Sequence, residues 1–160
     1  MPWHFRQDEG KMKIRRALKS DADALVDFNL AMALETEGKE LDAVILRSGV
    51  ESVFSDPNKG FYVVAANGDG DIAAGLLITF EWSDWRNKWF WWIQSVYVRP
   101  EYRGRALYRN MYEFVRDQAE TEGSVAGYRL YVEHDNLRAQ HVYERVGMVK
   151  SHYVLYEEEK

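Results

Sequence analysis

Three consecutive extended segments in the middle of the chain constrain its fold more than any other feature. They are FYVVAA at 61–66, DIAAGLLITFEW at 71–82 and WFWWIQSVYV at 89–98, and they are rich in β-branched and aromatic residues. NGDG joins the first two and SDWRNK the last two, and Asn and Gly accept the positive φ of a tight hairpin turn. We therefore expect three neighbouring antiparallel strands, the last ending at Arg99-Pro100.

Helical patterns surround these strands. Apolar spacing predicts helices over 20–37, with Ser20 as the cap, over 40–55, from Pro100 to about 122, and within NLRAQHVYERVG at 136–147. Shorter strands are expected in MKIRRAL, GYRLYVE and MVKSHYVLYEEE. The strand, helix and strand between 89 and 133 require a parallel crossover, so the expected order β-α-α-β-β-β-α-β-α-β gives a mixed sheet.

Composition narrows the function classes. The chain has no cysteine, which excludes disulfides, thiol nucleophiles and thiolate metal sites. A net charge of −5 gives no basic surface for nucleic acid, no apolar run has the length of a membrane span, and the N-terminus MPWHFRQDEGKM lacks the hydrophobic core of a signal peptide. We expect a soluble, cytoplasmic, single domain over residues 12–160, with a flexible N-terminal extension over 1–11.

The segment RPEYRGRALYRNMY at 99–112 has the form of a helix start that holds an anion. The first amides of a helix have no intrahelical acceptor, and the helix dipole adds a partial positive charge there. Only one glycine is present, and Ala106 and Tyr108 stand where further glycines are common. We interpret Ala106 as having ordinary helical geometry, with its methyl group pointing past the anion; the alternative is a plain amphipathic helix with solvated arginines.

Together with YVEHDNLRAQHVYERVGM at 131–148, this segment resembles motifs of the GNAT superfamily of acyl-coenzyme A-dependent N-acetyltransferases, and the resemblance covers about residues 12–156. Arg103 fits the first motif position, whereas Ala106 and Tyr108 depart from the two small-residue positions that follow. Met111-Tyr112 is similar to a residue pair in a subset with an aromatic there. The later motif is matched by Asn136, Ala139, Tyr143 and Gly147. The implied fold is α+β, with six or seven mostly antiparallel strands, about four helices and splayed central strands.

The resemblance implies acetyl-coenzyme A as the acyl-donor co-substrate, with no metal. Its pantetheine arm would pair with Val96, Tyr97 and Val98, one of whose amides would polarise the thioester carbonyl. The implied pyrophosphate contacts are Arg103, Gly104, Arg105, Ala106, Leu107 and Tyr108. Asn136 and Tyr143 complete the implied coenzyme site, although Asn136 as a bare helix cap would look the same in the sequence.

Tyr143 is the candidate acid for the departing thiolate, and a plain core tyrosine is the alternative. The base is less defined, because Gln94-Ser95 occupy the strand position where many relatives carry a carboxylate. Glu81 is the predicted catalytic base, and Asp84, Glu133 and His134 remain alternatives.

A primary amine is the expected acceptor, attacked directly in a ternary complex. Glu81 and Asp84 lie among five tryptophans, and carboxylates with aromatic faces suit a cation: Trp82, Trp85, Trp89, Trp91 and Trp92. Alternatively these rings fill core or a dimer interface, with Trp89 and Trp91 on one sheet face and Trp92 on the other.

The fold that the motifs resemble builds its acceptor wall near Glu35 and Glu37; the alternative is that both are surface charges. We expect a small-molecule amine partner, no nucleic acid and no membrane; a homodimer stays open. A coenzyme-binding sensor or interaction module without transfer activity is the alternative function. A dinucleotide-dependent oxidoreductase is disfavoured because no G-x-G-x-x-G follows a strand.

Overall fold

The computed structural model describes residues 11–160, which divide into two compact units, one ending at Leu130 and one formed by Tyr131–Lys160. Except for Lys11, the expected N-terminal extension lies outside the described residues. The strands are β1 (Lys13–Arg16), β2 (Phe61–Ala66), β3 (Ile72–Ser83), β4 (Lys88–Val98) and β5 (Val125–Arg129). The helices are α1 (Ala22–Glu37), α2 (Ala43–Ser55), α3 (Leu107–Glu122) and, in the second unit, α4 (Leu137–Arg145).

The strands of the first unit form one sheet in the order β1-β2-β3-β4-β5. Strands β1 to β4 pair antiparallel, and β5 pairs parallel with β4 after the crossover through α3. The predicted α+β class, the three-strand meander and the mixed sheet are therefore confirmed.

An extra residue interrupts the pairing of β3 and β4. Gly75 pairs with Tyr97 and Leu77 with Gln94, so two residues of β4 stand opposite one residue of β3. Ser95, one of the two, has a φ of 51°, which is unusual for a residue other than glycine. This β-bulge bends β4 near its C-terminal end.

Strand β5 follows β4 only along its first half. Its ladder runs from Trp89↔Val125 to Trp92↔Arg129 and then stops. Among the described residues, the second half of β4 therefore has a strand partner on the β3 side alone. The implied splaying of the central strands stays a prediction, and the end of this ladder is compatible with it.

Helices cover both faces of the sheet. On one face, α1 and α2 bury Leu25, Phe28 and Val50 against Tyr62, Val64 and Tyr97. Met111 and Val115 of α3 are fully buried, and each such aliphatic side chain contributes about 1.5–3 kcal/mol. The opposite face carries α3: Phe61, the strand neighbour of Tyr62, lies under Arg16, which bonds to Gln118 of α3.

The prediction of six or seven strands is wrong for the described residues, which contain five. The strand expected in GYRLYVE lies earlier, at Val125–Arg129, and MVKSHYVLYEEE forms no strand. A strand exists only through a ladder of backbone partners, which an alternating apolar pattern does not supply by itself. Tyr153, Val154 and Leu155 are accordingly exposed.

The start of α1 also differs from the prediction, because Asp21 rather than Ser20 is the N-cap residue. Asp21 Oδ2 accepts hydrogen bonds of 2.7 Å from the Leu18 amide and from Arg15 Nη1, and Oδ1 accepts a third from Arg15 Nη2 at 3.1 Å. Burial opposes ionisation of Asp21, but the hydrogen bonds from Arg15 and Leu18 outweigh it, so its pKa lies below the usual value.

We expect Asp21→Asn to lower the free energy of unfolding by about 1–3 kcal/mol at neutral pH, since it leaves Arg15 without its charged partner. Because the pKa of Asp21 is lower in the folded than in the unfolded chain, the stabilisation is complete above the unfolded value of 3.8 and is lost as pH falls through the folded value. Urea denaturation of the parent and the variant should therefore show a difference in the free energy of unfolding that is constant from about pH 5 to 7 and becomes smaller in stronger acid.

The matched control is Asp23→Asn, whose carboxylate is 83% exposed beside Arg47 and should change stability by less than about 0.5 kcal/mol. A gap for Asp21→Asn that does not change with pH would contradict the assignment of the effect to the Asp21 charge.

Candidate active site

The N-terminal end of α3 presents backbone amides that lack helical partners. Ala106 is the N-cap residue, and its carbonyl accepts the first helical hydrogen bond, from the Asn110 amide at 3.0 Å. The amides of Leu107, Tyr108 and Arg109 precede that bond, so they have no acceptor within the helix. No acidic side chain lies in the first turn and no side chain caps it. The helix end therefore carries a partial positive charge, which favours an anion.

The interpretation of Ala106 as ordinarily helical is wrong. Its φ of 57° and ψ of 26° place it in the left-handed region, where an L side chain costs about 1–2 kcal/mol. Gly104, two residues earlier, also has a positive φ, of 78°. Glycine would suit both positions, so the alanine keeps the loop conformation at the expense of local strain.

Arg103 connects this loop to the end of β4 and to α1. Its Nε donates to the Val98 carbonyl at 2.9 Å, and its Nη2 donates to Glu35 Oε2 at 2.8 Å. The Tyr97 hydroxyl donates to the other oxygen of the same carboxylate, also at 2.9 Å. The last turn of α1, the end of β4 and the helix-start loop are thereby held together.

The charges in this link are mutually stabilised. The hydrogen bond from Arg103 holds the pKa of Glu35 below its usual value, against a small opposing effect of burial. Burial raises the pKa of Tyr97, and the hydrogen bond to Glu35 raises it further. At neutral pH, Glu35 is therefore a carboxylate and Tyr97 a neutral phenol that donates to it.

The structure brings Val96, Tyr97 and Val98 next to the loop from Arg103 to Tyr108, as the direct Arg103–Val98 bond shows. The same three residues lie beyond the point where β5 leaves β4. An edge of β4 without a strand partner and an amide-rich helix start thus adjoin each other. The sequence contained no signal for the positive φ of Ser95 or for the bond between Glu35 and Arg103, which are 68 residues apart.

Glu81 occupies a different level of the sheet. Glu81 pairs with Phe90, whereas Tyr97 pairs with Gly75. Glu81 and Gly75 are six residues apart on β3, so Glu81 lies roughly 20 Å along the strand from the residue opposite Tyr97. Its Oε1 accepts from Arg129 Nη1 at 2.7 Å and from Trp92 Nε1 at 3.1 Å. Glu81 of β3 thus forms an ion pair with Arg129 of β5 that spans β4, and it is not grouped with Val96–Val98; its role as a base stays a prediction.

The tryptophans divide between the two sheet faces as expected. Trp89 and Trp91 both contact the ring of Phe80, whereas Trp92 bonds to Glu81, the strand neighbour of Phe80. Trp85 is 89% exposed in the turn between β3 and β4, where Asp84 Oδ1 accepts a hydrogen bond from the Trp85 amide.

The second unit carries the later motif. Asn136 caps α4, since its side chain accepts from the Ala139 amide at 3.1 Å. Burial raises the pKa of Tyr143, which lies within α4. Glu133 and His134 are exposed in the preceding turn, where His134 Nδ1 lies 3.4 Å from Asp135 Oδ1.

Comparison with known proteins identifies this architecture. The family model described as Acetyltransferase (GNAT) family matches residues 23–148. The chain belongs to the GNAT acetyltransferase family. A solved structure described as a possible acetyltransferase from Clostridium difficile 630 is 40% identical to this GNAT protein. It has a TM-score of 0.86, and the match covers 93% of this chain and 97% of that one.

More distant structures share the fold of this GNAT protein. A predicted acetyltransferase with acetyl-CoA from Clostridium acetobutylicum is 20% identical, with a TM-score of 0.73 and coverage of 92% and 96% of the two chains. Glucosamine-6-phosphate N-acetyltransferase from Arabidopsis thaliana is 21% identical, with a TM-score of 0.70 and coverage of 94% and 99%. No curated protein sequence matches the chain significantly.

Residues 11–160 offer neither a membrane span nor a metal-binding cluster. None of their helices is long and apolar enough to cross a membrane. They also contain no group of three or more His, Cys, Asp or Glu side chains that could hold a metal ion.

Ala106→Gly tests the strain at the start of α3. We expect it to raise the free energy of unfolding by up to about 1 kcal/mol, because glycine adopts positive φ without steric cost. Gly104→Ala is the matched opposite change: a Cβ there meets nothing within 4 Å, so its expected cost of about 1 kcal/mol arises from backbone conformation alone. Urea denaturation measures both. A destabilised Ala106→Gly variant would show that Ala106 is not strained.

Proposed function

We propose that this GNAT protein transfers an acetyl group from acetyl-coenzyme A to a primary amine. The observation that supports this most is the junction between the unpaired edge of β4 and the helix start at Arg103–Tyr108. An edge of a strand suits the amide-bearing pantetheine arm, and a helix start suits a pyrophosphate. The junction offers both within one continuous stretch of chain, from Val96 to Tyr108.

The pyrophosphate would accept hydrogen bonds from amides between Gly104 and Tyr108. Arg105 supports this electrostatically: its guanidinium lies over the Tyr102 ring at 5.4 Å, and no carboxylate of residues 11–160 forms an ion pair with it. Arg103 is committed instead to Val98 and Glu35. We therefore propose that Arg103 shapes the loop and that Arg105 supplies charge to the phosphates.

Transfer would proceed by direct attack in a ternary complex. The neutral amine attacks the thioester carbonyl carbon, the carbon–sulfur bond breaks, and the amine loses a proton as the thiolate gains one. An amide of Val96, Tyr97 or Val98 would donate to the carbonyl oxygen as negative charge develops on it. Tyr143 would protonate the thiolate: a tyrosine phenol has an ordinary pKa of about 10, so it is protonated at physiological pH and can donate.

The acceptor is proposed to be a small-molecule amine. Glu81 remains the proposed base, acting through water. Its carboxylate accepts hydrogen bonds from Arg129 and Trp92, so protonation of Glu81 would weaken the ion pair with Arg129. Asn136 would contact the pantetheine or an ordered water in addition to capping α4. A cytoplasmic location and a homodimer belong to the same proposal.

The alternative is a catalytically inactive sensor that binds acyl-coenzyme A. The absence of a carboxylate at Gln94-Ser95 favours it, since Gln94 Nε2 donates to Thr79 Oγ1 at 2.6 Å and is no base. Thiol release from acetyl-coenzyme A, measured with amines, polyamines, amino acids and peptide N-termini, separates the two. Binding of the coenzyme without release for any acceptor would favour the sensor.

We expect Arg105→Glu to weaken acetyl-coenzyme A binding by roughly tenfold or more, because it replaces a favourable charge near the phosphates with a repulsive one, at about 1 kcal/mol for each contribution. Calorimetry measures the change. The matched control is Arg116→Glu, the same charge reversal nine residues beyond Leu107 on α3 and roughly 14 Å along the helix. Equal affinity in the parent and Arg105→Glu would show that the phosphates bind elsewhere.

Tyr143→Phe tests the acid. Loss of the phenol should lower kcat by roughly 100-fold or more, in the range for a general acid. The KM for acetyl-coenzyme A should change little, because the proton is transferred in the transition state. The high-pH limb of kcat should also move. A variant with the kcat and pH profile of the parent would make Tyr143 a packing residue.

A further inference from the structure

A groove with an aromatic floor lies at the opposite end of α3 from the proposed coenzyme site. Its floor is formed by rings on neighbouring strands: Phe61 of β2, Phe80 of β3, and Trp89 and Trp91 of β4. Its volume of about 630 Å³ is in the range of small-molecule sites. The α3 helix has 16 residues, so roughly 24 Å separate the groove from the helix start.

The groove exists because α3 ends before it covers these rings. Gly123, with a φ of 72°, ends the helix, and the Ser124 carbonyl then accepts the Trp89 amide at 2.9 Å. The rings contact one another, with centroid distances of 5.3 Å for Phe61–Trp91 and 6.2 Å for Phe80–Trp89. Trp91 is buried, but Trp89 remains 38% exposed. The floor is therefore rigid and partly open to solvent.

Arg16 lies in the groove without a counter-ion. Its guanidinium carbon is 3.8 Å from the centroid of Phe61, and its Nε donates to Gln118 Oε1 at 2.8 Å. Within residues 11–160, no carboxylate forms an ion pair with it, whereas its neighbour Arg15 is paired with Asp21. The guanidinium is thus held in place by two contacts while its Nη groups have no partner among those residues.

We propose that this groove binds a small aromatic carboxylate. The carboxylate would accept two hydrogen bonds from the planar Arg16 fork, and the aromatic part would pack on the rings of the floor. Arg16 is exposed, but its bond to Gln118 and its contact with the Phe61 ring restrict the guanidinium, which reduces the side-chain entropy lost on binding. Glu122 also lines the groove and favours the opposite charge, but no contact among the described residues orders its exposed carboxylate.

Three probes of one shape test the chemistry: 2-naphthoate, neutral 2-naphthamide and cationic 2-naphthylmethylammonium. We expect calorimetry to show tightest binding for 2-naphthoate, and the indole resonance of Trp89 to shift in NMR spectra. Saturating acetyl-coenzyme A should leave this affinity unchanged, because the two sites are far apart.

Variants then assign the site. Arg16→Gln should weaken 2-naphthoate by about tenfold or more and leave 2-naphthamide unchanged, with Arg16→Lys in between. Arg47→Gln, which removes the same charge from exposed α2, is the control and should bind like the parent. Trp89→Leu should weaken all three probes, since it removes part of the floor. Circular dichroism checks that each variant is folded.

Several outcomes would overturn the proposal. If the ammonium probe binds more tightly than 2-naphthoate, the negative charge of Glu122 and of the C-terminal end of α3 selects the ligand, and Arg16 does not. Displacement of 2-naphthoate by acetyl-coenzyme A would place the probe in the coenzyme site, and no binding at millimolar concentration would leave the groove without this function. Self-association of the parent that Trp89→Leu abolishes would mean that a second copy covers the rings. If Arg16→Gln does not fold, the comparison of the three probes on the parent still decides.

Discussion

The architecture of the proposed site depends on one interruption in backbone pairing, the departure of β5 from β4 after Trp92↔Arg129. Buried backbone amides and carbonyls must find partners, so a sheet normally continues its ladders along the full length of its strands. Here the bulge at Ser95 bends β4 just beyond the last paired residue. Among the described residues, the second half of β4 has a strand partner on the β3 side alone, and it lies directly beside the loop that begins α3. Under the proposed function, the coenzyme takes the place of the missing strand and of the missing helical acceptors.

The bonds of Arg103 and Glu35 maintain this geometry more than they stabilise the fold. Their side chains are 35% and 42% exposed, and an ion pair of this kind contributes about 0–1 kcal/mol. The hydrogen bonds of Arg103 to Val98 and Glu35, and of Tyr97 to Glu35, nevertheless join α1, β4 and the helix-start loop. The left-handed conformation of Ala106 lies in the same loop, so the bonds of Arg103 help to hold a strained backbone.

The pleat of the sheet divides the aromatic cluster between two faces. The sequence leaves open whether the cluster receives a cation or fills core, and it predicts the division that the structure has: Trp92 bonds to Glu81, whereas Trp89 and Trp91 contact Phe80 on the opposite face. Arg129 forms an ion pair with the Glu81 carboxylate, and its guanidinium carbon lies 3.6 Å from the centroid of the Phe90 ring. The carboxylate therefore already has a cation, and the rings of the other face line a groove that contains Arg16.

The sequence by itself determined the elements whose causes are local. The β-branched and aromatic runs around NGDG determined the meander, apolar periodicity determined the four helices, and the two motifs determined the GNAT resemblance that the comparisons confirm. Features that depend on distant partners could not be predicted. MVKSHYVLYEEE has a strand pattern but no ladder, since pairing requires a second strand. Ala106 suggested ordinary helix, because its side chain carries no sign of the left-handed φ that its surroundings impose. Only the tertiary structure decided that Glu35 meets Arg103 and that Glu81 meets Arg129, because hydrogen bonds between side chains 68 and 48 residues apart form only after the sheet and helices have packed.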